Sequence, residues 1–335
     1  MNIKIQNGMN SSRKEIGRNF LSLRELDSKE WQHLLRVSKE VKLHSGNFRR
    51  MLLGKSLVLV FEKPSLRTRL TFELAIKQLG GDAVYLGYQE DQLNKRESLS
   101  DVARNLERWF DCIVARTFSH SALLTLAEET SIPVINALTD NEHPCQALAD
   151  MFTLLEKWGE LEGRKLAFVG DGNNVCTSLV HATALSGMSF VAVTPNSHRP
   201  SSKILKDFDQ LSVSSSASCT WTESLEGVKG ADVIYTDTWI SMGTESETQE
   251  RIKKFEGYRI TPEVMEKART GAYFMHCLPA HRNQEVTDAV IDSPRSLVFE
   301  QAENRLHVQK ALLLFLFSPK ELFRYFQLER WAARK

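Results

Sequence analysis

The chain has 335 residues, of which 42% are hydrophobic and 25% charged, and its 43 Lys and Arg nearly balance its 42 Asp and Glu. This composition is typical of a globular protein and excludes the disordered, collagen-like and disulfide-scaffold classes. The length exceeds what one hydrophobic core usually fills, so we expect two domains. A formal net charge of +1 offers no overall basic field for nucleic acid or an anionic membrane. Any bound anion must therefore be held by a local concentration of charge.

Five cysteines are scattered along the chain without a CxxC pair, which favours a reduced protein. The segment from Met1 to Ser12 is polar and has no apolar signal region. The most apolar run, Ala311 to Phe317, is much shorter than the roughly 20 residues that span a bilayer. We therefore expect a soluble, cytoplasmic protein with no membrane partner.

Short β-branched runs alternate with helical patterns along the chain. The first helix begins near Asp27 or Ser28, either of which can cap it. A first series predicts helices at 65–79, 98–109 and 119–130 between strands at 56–61, 82–86, 112–116 and 132–136. A second series predicts strands at 165–170, 190–194, 232–236, 272–276 and 297–299. Two such series predict an α/β fold of two doubly wound domains, each with a central parallel sheet flanked by helices.

Long helices are predicted to join the two domains. Residues 143–158 have a helical pattern and lie between the two series. Residues 301–317 and 319–331 predict two terminal helices, separated where Pro319 can begin a new first turn. Ligands of parallel sheets bind beyond the carboxyl ends of the strands, so chemistry is expected directly after each strand.

The segment FEKPSLRTR, which follows the first predicted strand, favours an anion site. Pro64 ends the strand, Ser65 is a good N-cap, and Arg67 and Arg69 fall near the start of the helix. Cations are unfavourable beside the positive end of a helix dipole. We therefore expect an anion to lie among these arginines and to use the free backbone N–H groups.

Two more strand ends in the first series carry candidate residues. Arg116 ends the strand at 112–116, where an arginine is also typical of a structural salt bridge. His143 precedes Pro144 at the start of the long helix. Its imidazole can simply cap that helix, or it can donate to a carbonyl oxygen that gains negative charge during acyl transfer.

Polar segments also follow strands of the second series. The segment GDGNNV imitates the dinucleotide-binding fingerprint, but Val175 replaces the third glycine, so it is weak evidence for NAD. Its asparagine amides can instead bind a zwitterionic amino acid. Asp237 begins the segment DTWISMG and is placed to meet a substrate ammonium. Cys277, in the segment HCLP, can be a nucleophile, a metal ligand or a thiol lining a pocket.

Metal and protease chemistry are both disfavoured by spacing. The metal-ligand residue types are not at zinc-finger or HExxH spacing, and they comprise His143, Cys145, His276, Cys277 and His281. Nothing local pairs a cysteine with a histidine and an orienting group, as a cysteine protease requires. We therefore predict no metal site.

Together the motifs are more specific than any one of them. SLRTR, HPCQ, GDGNN, DTWISMG and HCLP occur in this order and are followed by Glu303-Asn304-Arg305. The series resembles the transcarbamylase family over about residues 19–317, and HCLP with DxxxSMG resembles its ornithine carbamoyltransferase branch. The resemblance implies transfer of a carbamoyl group from carbamoyl phosphate to L-ornithine, giving L-citrulline and phosphate in arginine metabolism. It implies direct attack by the neutral δ-amine and no cofactor.

The resemblance also implies a role for each matching residue. The carbamoyl phosphate site would comprise Ser65, Leu66, Arg67, Thr68, Arg69, Gln92, Arg116, His143, Gln146, Cys277, Leu278 and Arg305. The ornithine site would comprise Asn174, Asp237, Ser241 and Met242. Arg116, His143 and Cys277 would be catalytic, the first two by polarising the carbamoyl carbonyl. Leu66 stands where the family usually has Thr and is expected to act through its backbone N–H.

The same resemblance implies the domain roles and the assembly. Residues 1–150, completed by a C-terminal helix at about 305–335, would bind carbamoyl phosphate, and residues 151–304 would bind ornithine. A homotrimer or an assembly of trimers is implied, in which Gln92 reaches a neighbouring subunit's site. Three alternatives remain: a transcarbamylase for another amine, an NAD-dependent oxidoreductase, and a non-catalytic relative. The last is disfavoured because every catalytic position is filled.

Overall fold

The first part of the chain forms a four-stranded parallel sheet in a computed structural model that describes residues 17–87, 97–240, 248–318, 322, 325 and 326. Helix α1 (Ser28–Leu43) precedes this sheet. The strands are β1 (Ser56–Phe61), β2 (Asp82–Gly87), β3 (Cys112–Arg116) and β4 (Val134–Leu138), in the spatial order β2-β1-β3-β4. The helices that follow the first three strands are α2 (Leu66–Gln78), α3 (Leu99–Trp109) and α4 (His120–Glu128). Helix α5 (Pro144–Trp158) leads to the next sheet.

The second part forms a five-stranded parallel sheet in the spatial order β7-β6-β5-β8-β9. Its strands are β5 (Lys165–Val169), β6 (Ser189–Val193), β7 (Cys219–Thr222), β8 (Val233–Thr236) and β9 (Tyr273–His276). Its helices are α6 (Asn174–Leu185), α7 (Ser202–Leu211), α8 (Thr248–Phe255), α9 (Pro262–Lys267) and α10 (Asp288–Ile291). Helix α11 (Val298–Phe317) then returns to pack against α1, α2 and α5. The predicted α/β fold with two parallel sheets is confirmed.

Strand alternation explains why one core joins the two sheets. In β1, Leu57 and Leu59 belong to a large core shared with α1, α5 and α11, whereas Val58 and Val60 belong to a separate core on the other face. The large core also contains one face of the second sheet, including Phe168. Both sheets therefore rest against the same central helices, which hold their strand ends close together.

Each sheet reverses its strand order at one point. Strands β2 and β4 lie on opposite sides of the β1–β3 pair, and β6 and β9 lie on opposite sides of the β5–β8 pair. A doubly wound sheet opens a crevice at such a point, because the connections on its two sides leave in opposite directions. The ends of β1, β3, β5 and β8 are therefore where ligands are expected.

Two details of the prediction are wrong. Residues 297–299 are not a strand, because Leu297 caps α11 and Val298 begins it. Val298 is buried while Phe299 is 70% exposed, and so short an apolar run does not distinguish a strand from the start of a helix. Strand β7 was not predicted, because its sequence CTWT is only partly buried at the sheet edge. Within the described residues, no helix is long and apolar enough to cross a lipid bilayer.

Candidate active site

The start of α2 forms the predicted anion cradle. Ser65 has an extended backbone and caps the helix, its Oγ accepting the N–H of Thr68 at 3.3 Å. Arg67 is partly buried, and this burial lowers the pKa of its guanidinium. The side chain of Leu66 is apolar and 71% exposed, so Leu66 can contribute to the cradle only through its backbone. The cradle thus offers a capped helix start and one partly desolvated cation.

Arg69 is held differently from Arg67. Its Nε donates to Glu73 Oε1 at 2.9 Å, and its guanidinium lies 3.7 Å from the centre of the Tyr85 ring. The ion pair with Glu73 raises the pKa of Arg69. An anion that uses Arg69 must therefore share it with a carboxylate.

Three buried basic side chains converge behind the cradle. Arg116 at the end of β3, His143 at the start of α5 and Arg305 on α11 are all at most 6% exposed. Burial lowers the pKa of Arg116 to about 10 and lowers that of His143 well below its usual value, and the charge of Arg305 lowers both further. His143 is therefore neutral at physiological pH. The two guanidinium groups and the neutral imidazole make a compact region of positive charge from which water is largely excluded.

These three side chains keep polar atoms without a partner. Arg116 Nε, His143 Nδ1 and Arg305 Nε are buried and form no hydrogen bond with any described part of the chain. Buried polar atoms without partners are rare in native proteins, because each has lost its water. A small anion with several oxygens would satisfy them.

Arg305 connects the cradle to α5. Its Nη2 donates to Thr68 Oγ1 at 2.8 Å, and its Nη1 donates to Gln146 Oε1 at 2.6 Å. Gln146 in turn donates through Nε2 to Asp150 Oδ1 at 2.8 Å. Asp150 was not among the predicted residues, although it follows Gln146 by one helical turn and the i, i+4 spacing predicts contact.

The second half of the site lies beyond β5 and β8. Asp237 follows β8; its Oδ2 accepts from Asn173 Nδ2 at 2.7 Å and its Oδ1 accepts from the Cys277 thiol at 2.9 Å. Asn174 Nδ2 donates to the carbonyl oxygen of Thr139, in the first half of the chain, at 2.6 Å. The two described residues of the predicted ornithine site, Asn174 and Asp237, are thus both hydrogen-bonded within the protein. The amide of Asn173, a candidate for binding an amino acid on the sequence alone, instead donates to Asp237 and orients it.

The GDGNN turn does not offer a dinucleotide site. Dinucleotide folds bind pyrophosphate with the free N–H groups at the start of a helix. Here Asn173 Oδ1 accepts the N–H groups of Val175 at 3.0 Å and Cys176 at 3.1 Å. Asp171 forms an ion pair with Arg251 of α8. The groups that a pyrophosphate needs are already occupied, which disfavours the oxidoreductase alternative.

Asp237, His276 and Cys277 place one potential metal-ligand atom each within 4.8 Å of one another. The donors do not suit a metal, however. His276 Nδ1 accepts the N–H of Leu278 at 2.8 Å, and His276 Nε2 lies 3.2 Å from Glu285 Oε1. Burial and the charge of Asp237 raise the pKa of Cys277 well above its usual value, whereas a metal binds the thiolate. The cluster fits a hydrogen-bonded network better than a metal site.

The two halves face each other across one crevice. Cys277 is close enough to Arg67, Arg116 and Arg305 for its side chain to influence their pKa values, which places the HCLP segment beside the cradle. Leu278 has a φ of +57°, which is rare for a residue other than glycine and turns the segment sharply. The predicted residues Gln92, Ser241 and Met242 lie outside the described residues.

A cavity of about 630 Å³ lies elsewhere, between α1 and the end of α5. Trp31, Arg36, Phe152 and Leu161 are among its lining residues. None of the predicted site residues lines it. The chemistry is therefore assigned to the crevice, where the strand ends and buried charges meet.

Comparison with known proteins agrees with this architecture. The family model for the carbamoyl-P binding domain of aspartate/ornithine carbamoyltransferase matches residues 18–156, and that for its Asp/Orn binding domain matches residues 162–316. Ornithine carbamoyltransferase from Shewanella oneidensis is 46% identical over 302 residues, which cover 90% of this chain and 100% of that protein.

Solved structures give the same result. Ornithine carbamoyltransferase from Pyrococcus furiosus superposes with a TM-score of 0.86 at 45% identity, covering 89% of this chain and 96% of the other. The anabolic ornithine carbamoyltransferase from Campylobacter jejuni gives a TM-score of 0.85 at 37% identity, covering 90% and 100%. The chain belongs to the aspartate/ornithine carbamoyltransferase family.

Proposed function

We propose that this chain is an ornithine carbamoyltransferase, which converts carbamoyl phosphate and L-ornithine into L-citrulline and phosphate. The observation that carries the proposal is the convergence of Arg116, His143 and Arg305, all buried, near Cys277, whose thiol donates to the carboxylate of Asp237. A positive region suits the phosphate and carbonyl of carbamoyl phosphate, and a carboxylate suits the ammonium of an amino acid. The family and the names of the similar proteins support the same activity.

Carbamoyl phosphate is bound by the first half of the site in this proposal. The phosphate lies at the start of α2, where Ser65, the N–H of Leu66, Arg67, Thr68 and Arg69 surround it. The carbamoyl oxygen faces Arg116 and His143. The amide contacts Gln146 and the carbonyl oxygen of Leu278, and Arg305 contacts the same substrate.

The reaction is a direct displacement at the carbamoyl carbon. The neutral δ-amine of ornithine attacks, a C–N bond forms, and charge develops on the carbonyl oxygen, where Arg116 and neutral His143 can donate. The bond between the carbamoyl carbon and the phosphate oxygen then breaks. The proton lost by the amine leaves with the phosphate. Because only the neutral amine attacks, we expect kcat/KM for ornithine to rise with pH until the amine is deprotonated.

Ornithine is bound by the second half of the site. Asp237 pairs with the ammonium of the substrate in place of one of its present partners, Asn173 or Cys277. Asn174, Ser241 and Met242 complete the ornithine site, and the Cys277 thiol lies beside the reacting amine. The role of these residues rests on their motif positions and, for Asn174, Asp237 and Cys277, on their proximity.

We also propose the domain roles that the motifs imply. Residues 1–150, with the C-terminal segment at about 305–335, bind carbamoyl phosphate, and residues 151–304 bind ornithine. Helix α11 ends at Phe317, and most of the segment after it, which includes the predicted helix at 319–331, lies outside the described residues. Both domain limits fall inside continuous helices, α5 and α11, so each of these helices is shared by the two domains. A role in arginine biosynthesis is supported by the anabolic relative from Campylobacter jejuni. The five free cysteines support a reducing, cytoplasmic location.

A homotrimer with shared sites is supported by an apolar stripe on the first sheet's side of the molecule. Leu66, Leu70 and Leu74 follow one another at helical i, i+4 spacing on α2 and are 71%, 46% and 47% exposed. Val84 of the edge strand β2 is 53% exposed. Apolar surface of this kind is typical of subunit contacts. Replacing Leu70 and Leu74 with Glu should dissociate the assembly in sedimentation experiments, and an unchanged sedimentation coefficient would contradict this interface.

A colorimetric citrulline assay tests the activity. The purified chain with carbamoyl phosphate and ornithine should form citrulline, and Arg67→Ala should lose most of the rate because the phosphate loses a charged partner. Putrescine and acetylornithine in place of ornithine test the alternative that another amine is the substrate. No citrulline, or equal rates for Arg67→Ala and the wild type, would contradict the proposal.

A further inference from the structure

A buried carboxylate connects the two halves of the site without lying in the crevice itself. Asp150 is on α5, one turn after Gln146, and its side chain is fully buried. Its Oδ1 accepts two hydrogen bonds of 2.8 Å, from Gln146 Nε2 and from Gln301 Nε2. One oxygen atom therefore determines the orientation of two amide side chains on two different helices.

The two amides point in opposite directions from this carboxylate. The oxygen of Gln146 accepts from Arg305, which also donates to Thr68 in the cradle. The oxygen of Gln301 accepts the backbone N–H of His276 at 3.0 Å, where β9 passes into the HCLP segment. An unbroken series of hydrogen bonds thus runs from the cradle to the strand end that carries Cys277.

The chemistry of a carboxylate gives this series its direction. An ionised carboxylate only accepts hydrogen bonds, so both amides must turn their NH₂ groups toward Asp150 and their oxygens away. Both oxygens then face donors, namely Arg305 and the His276 N–H. Without Asp150, either amide could rotate by 180° and present NH₂ to a group that is itself a donor. That arrangement would leave two buried donors opposed.

The surroundings of Asp150 are consistent with this role. Burial raises its pKa to about 6, while the hydrogen bonds from Gln301 and Gln146 act in the opposite direction. These hydrogen bonds stabilise the ionised form of the carboxylate, which burial destabilises. Its charge also contributes to the raised pKa values of Tyr235 and Cys277. Burying a carboxylate costs more free energy than burying an apolar residue of similar size. A carboxylate kept in this position therefore indicates a function.

We propose that Asp150 is a positioning residue that orients Gln146 and Gln301 together. It thereby fixes the position of the carbamoyl phosphate cradle relative to the HCLP segment. The inference deepens the proposed function and rests on it. Asp150 itself touches neither substrate. It acts through Arg305 on one side and through the end of β9 on the other.

Two replacements of Asp150 separate orientation from charge. Asp150→Leu removes the acceptor, and we expect kcat/KM for carbamoyl phosphate to fall about 100-fold because misplaced reacting groups cost about that much. Asp150→Asn keeps an oxygen for both amides and should retain activity within about fivefold of the wild type, since two orienting bonds survive. Rescue by Asn but not by Leu is the expected result. An Asn variant as impaired as the Leu variant would overturn the inference.

Gln301→Leu tests the second arm if Asp150→Leu does not fold. It removes the acceptor of the His276 N–H but leaves Asp150 bonded to Gln146. We expect kcat/KM for both substrates to fall about tenfold, as for loss of one buried hydrogen bond, because Cys277 and Leu278 directly follow His276. Unchanged kcat/KM values would show that Gln301 does not link Asp150 to the HCLP segment.

A matched control distinguishes positioning from stability. Thr153, one turn after Asp150 on α5, is also fully buried and accepts from Asn304 of α11 at 2.9 Å, outside the series. Thr153→Val should lower the melting temperature and leave both KM values unchanged. If Asp150→Leu changed only the melting temperature in the same way, its role would be structural. A wild type that makes no citrulline would instead contradict the proposed function.

Discussion

The two halves of the crevice are prepared for their ligands in different ways. In the carbamoyl phosphate half, Arg116, His143 and Arg305 are buried and keep nitrogen atoms that no described residue satisfies. In the ornithine half, Asp237 already has two partners within the protein, Asn173 and Cys277. The first half thus keeps buried nitrogen atoms without partners, whereas the carboxylate of the second half already accepts hydrogen bonds from the protein.

This difference indicates an order of binding. An anion that enters the first half relieves charge repulsion among the buried cations without breaking any bond between them. In the proposed ornithine site, the ligand's ammonium would instead have to displace a hydrogen bond to Asp237 before it gained its own. We therefore expect carbamoyl phosphate to bind to the free enzyme and ornithine to bind well only afterwards.

The largest expected effect is on the charged half. Arg116→Met should lower kcat by about 10²–10³-fold, because a donor to the developing negative charge is removed. Steady-state citrulline formation measures the loss. Arg104→Met is the matched control. Arg104 forms an exposed ion pair with Glu129, so this variant should be fully active. An Arg116 variant with more than a tenth of the wild-type kcat would contradict its assignment.

The next effect is on the half that contains Asp237. Asp237→Asn should raise KM for ornithine by about 10–100-fold, the cost of losing one charge-assisted hydrogen bond. KM for carbamoyl phosphate should not change, because Asp237 lies in the other half. Measuring both constants in one series checks this. A parallel rise in both would show that the two halves are not separate in the way that their hydrogen bonds suggest.

The increase in unfolding free energy on ligand binding compares the two halves of the crevice directly. Inorganic phosphate or carbamoyl phosphate alone, at 100 times its Kd, should stabilise the folded chain by about 2.7 kcal/mol. Ornithine alone should shift the melting temperature very little, and it should add stability once phosphate is present. Differential scanning calorimetry gives both values. Stabilisation by ornithine alone equal to that by phosphate would contradict the order of binding.

The smallest expected effect concerns His143, whose imidazole should not become protonated in the usual pH range of histidine. The pKa of His143 lies well below its usual value because of burial and the nearby charges of Arg305 and Arg116. Its ring should therefore remain neutral as pH falls through 6.5, the ordinary value for histidine. An NMR titration of the ring protons, assigned with His143→Gln, should show no shift there. A midpoint near 6.5 would mean that the cations do not surround the ring.

Much of this protein could be predicted from its sequence, because local patterns report local structure. The β-branched run SLVLVF predicted β1 at its observed limits, and Ser65 predicted the cap of α2. The same local reasoning was wrong at residues 297–299, which were predicted as a strand. Leu297 instead caps α11, and the two apolar residues after it begin the helix. Arginines at a helix start also indicated an anion before any contact was known.

Only the tertiary structure decided which distant residues share an environment. Asp150 and Gln301 are 151 positions apart, and their hydrogen bond exists because α11 packs along α5. No spacing rule predicts such a pair, since the contact depends on how two helices cross. The sequence thus determined the sheets, the motifs and the family, because these follow from local pattern and order. The packing of the central helices determined which charges are buried together, and burial is what separates a positive pocket from a neutral surface.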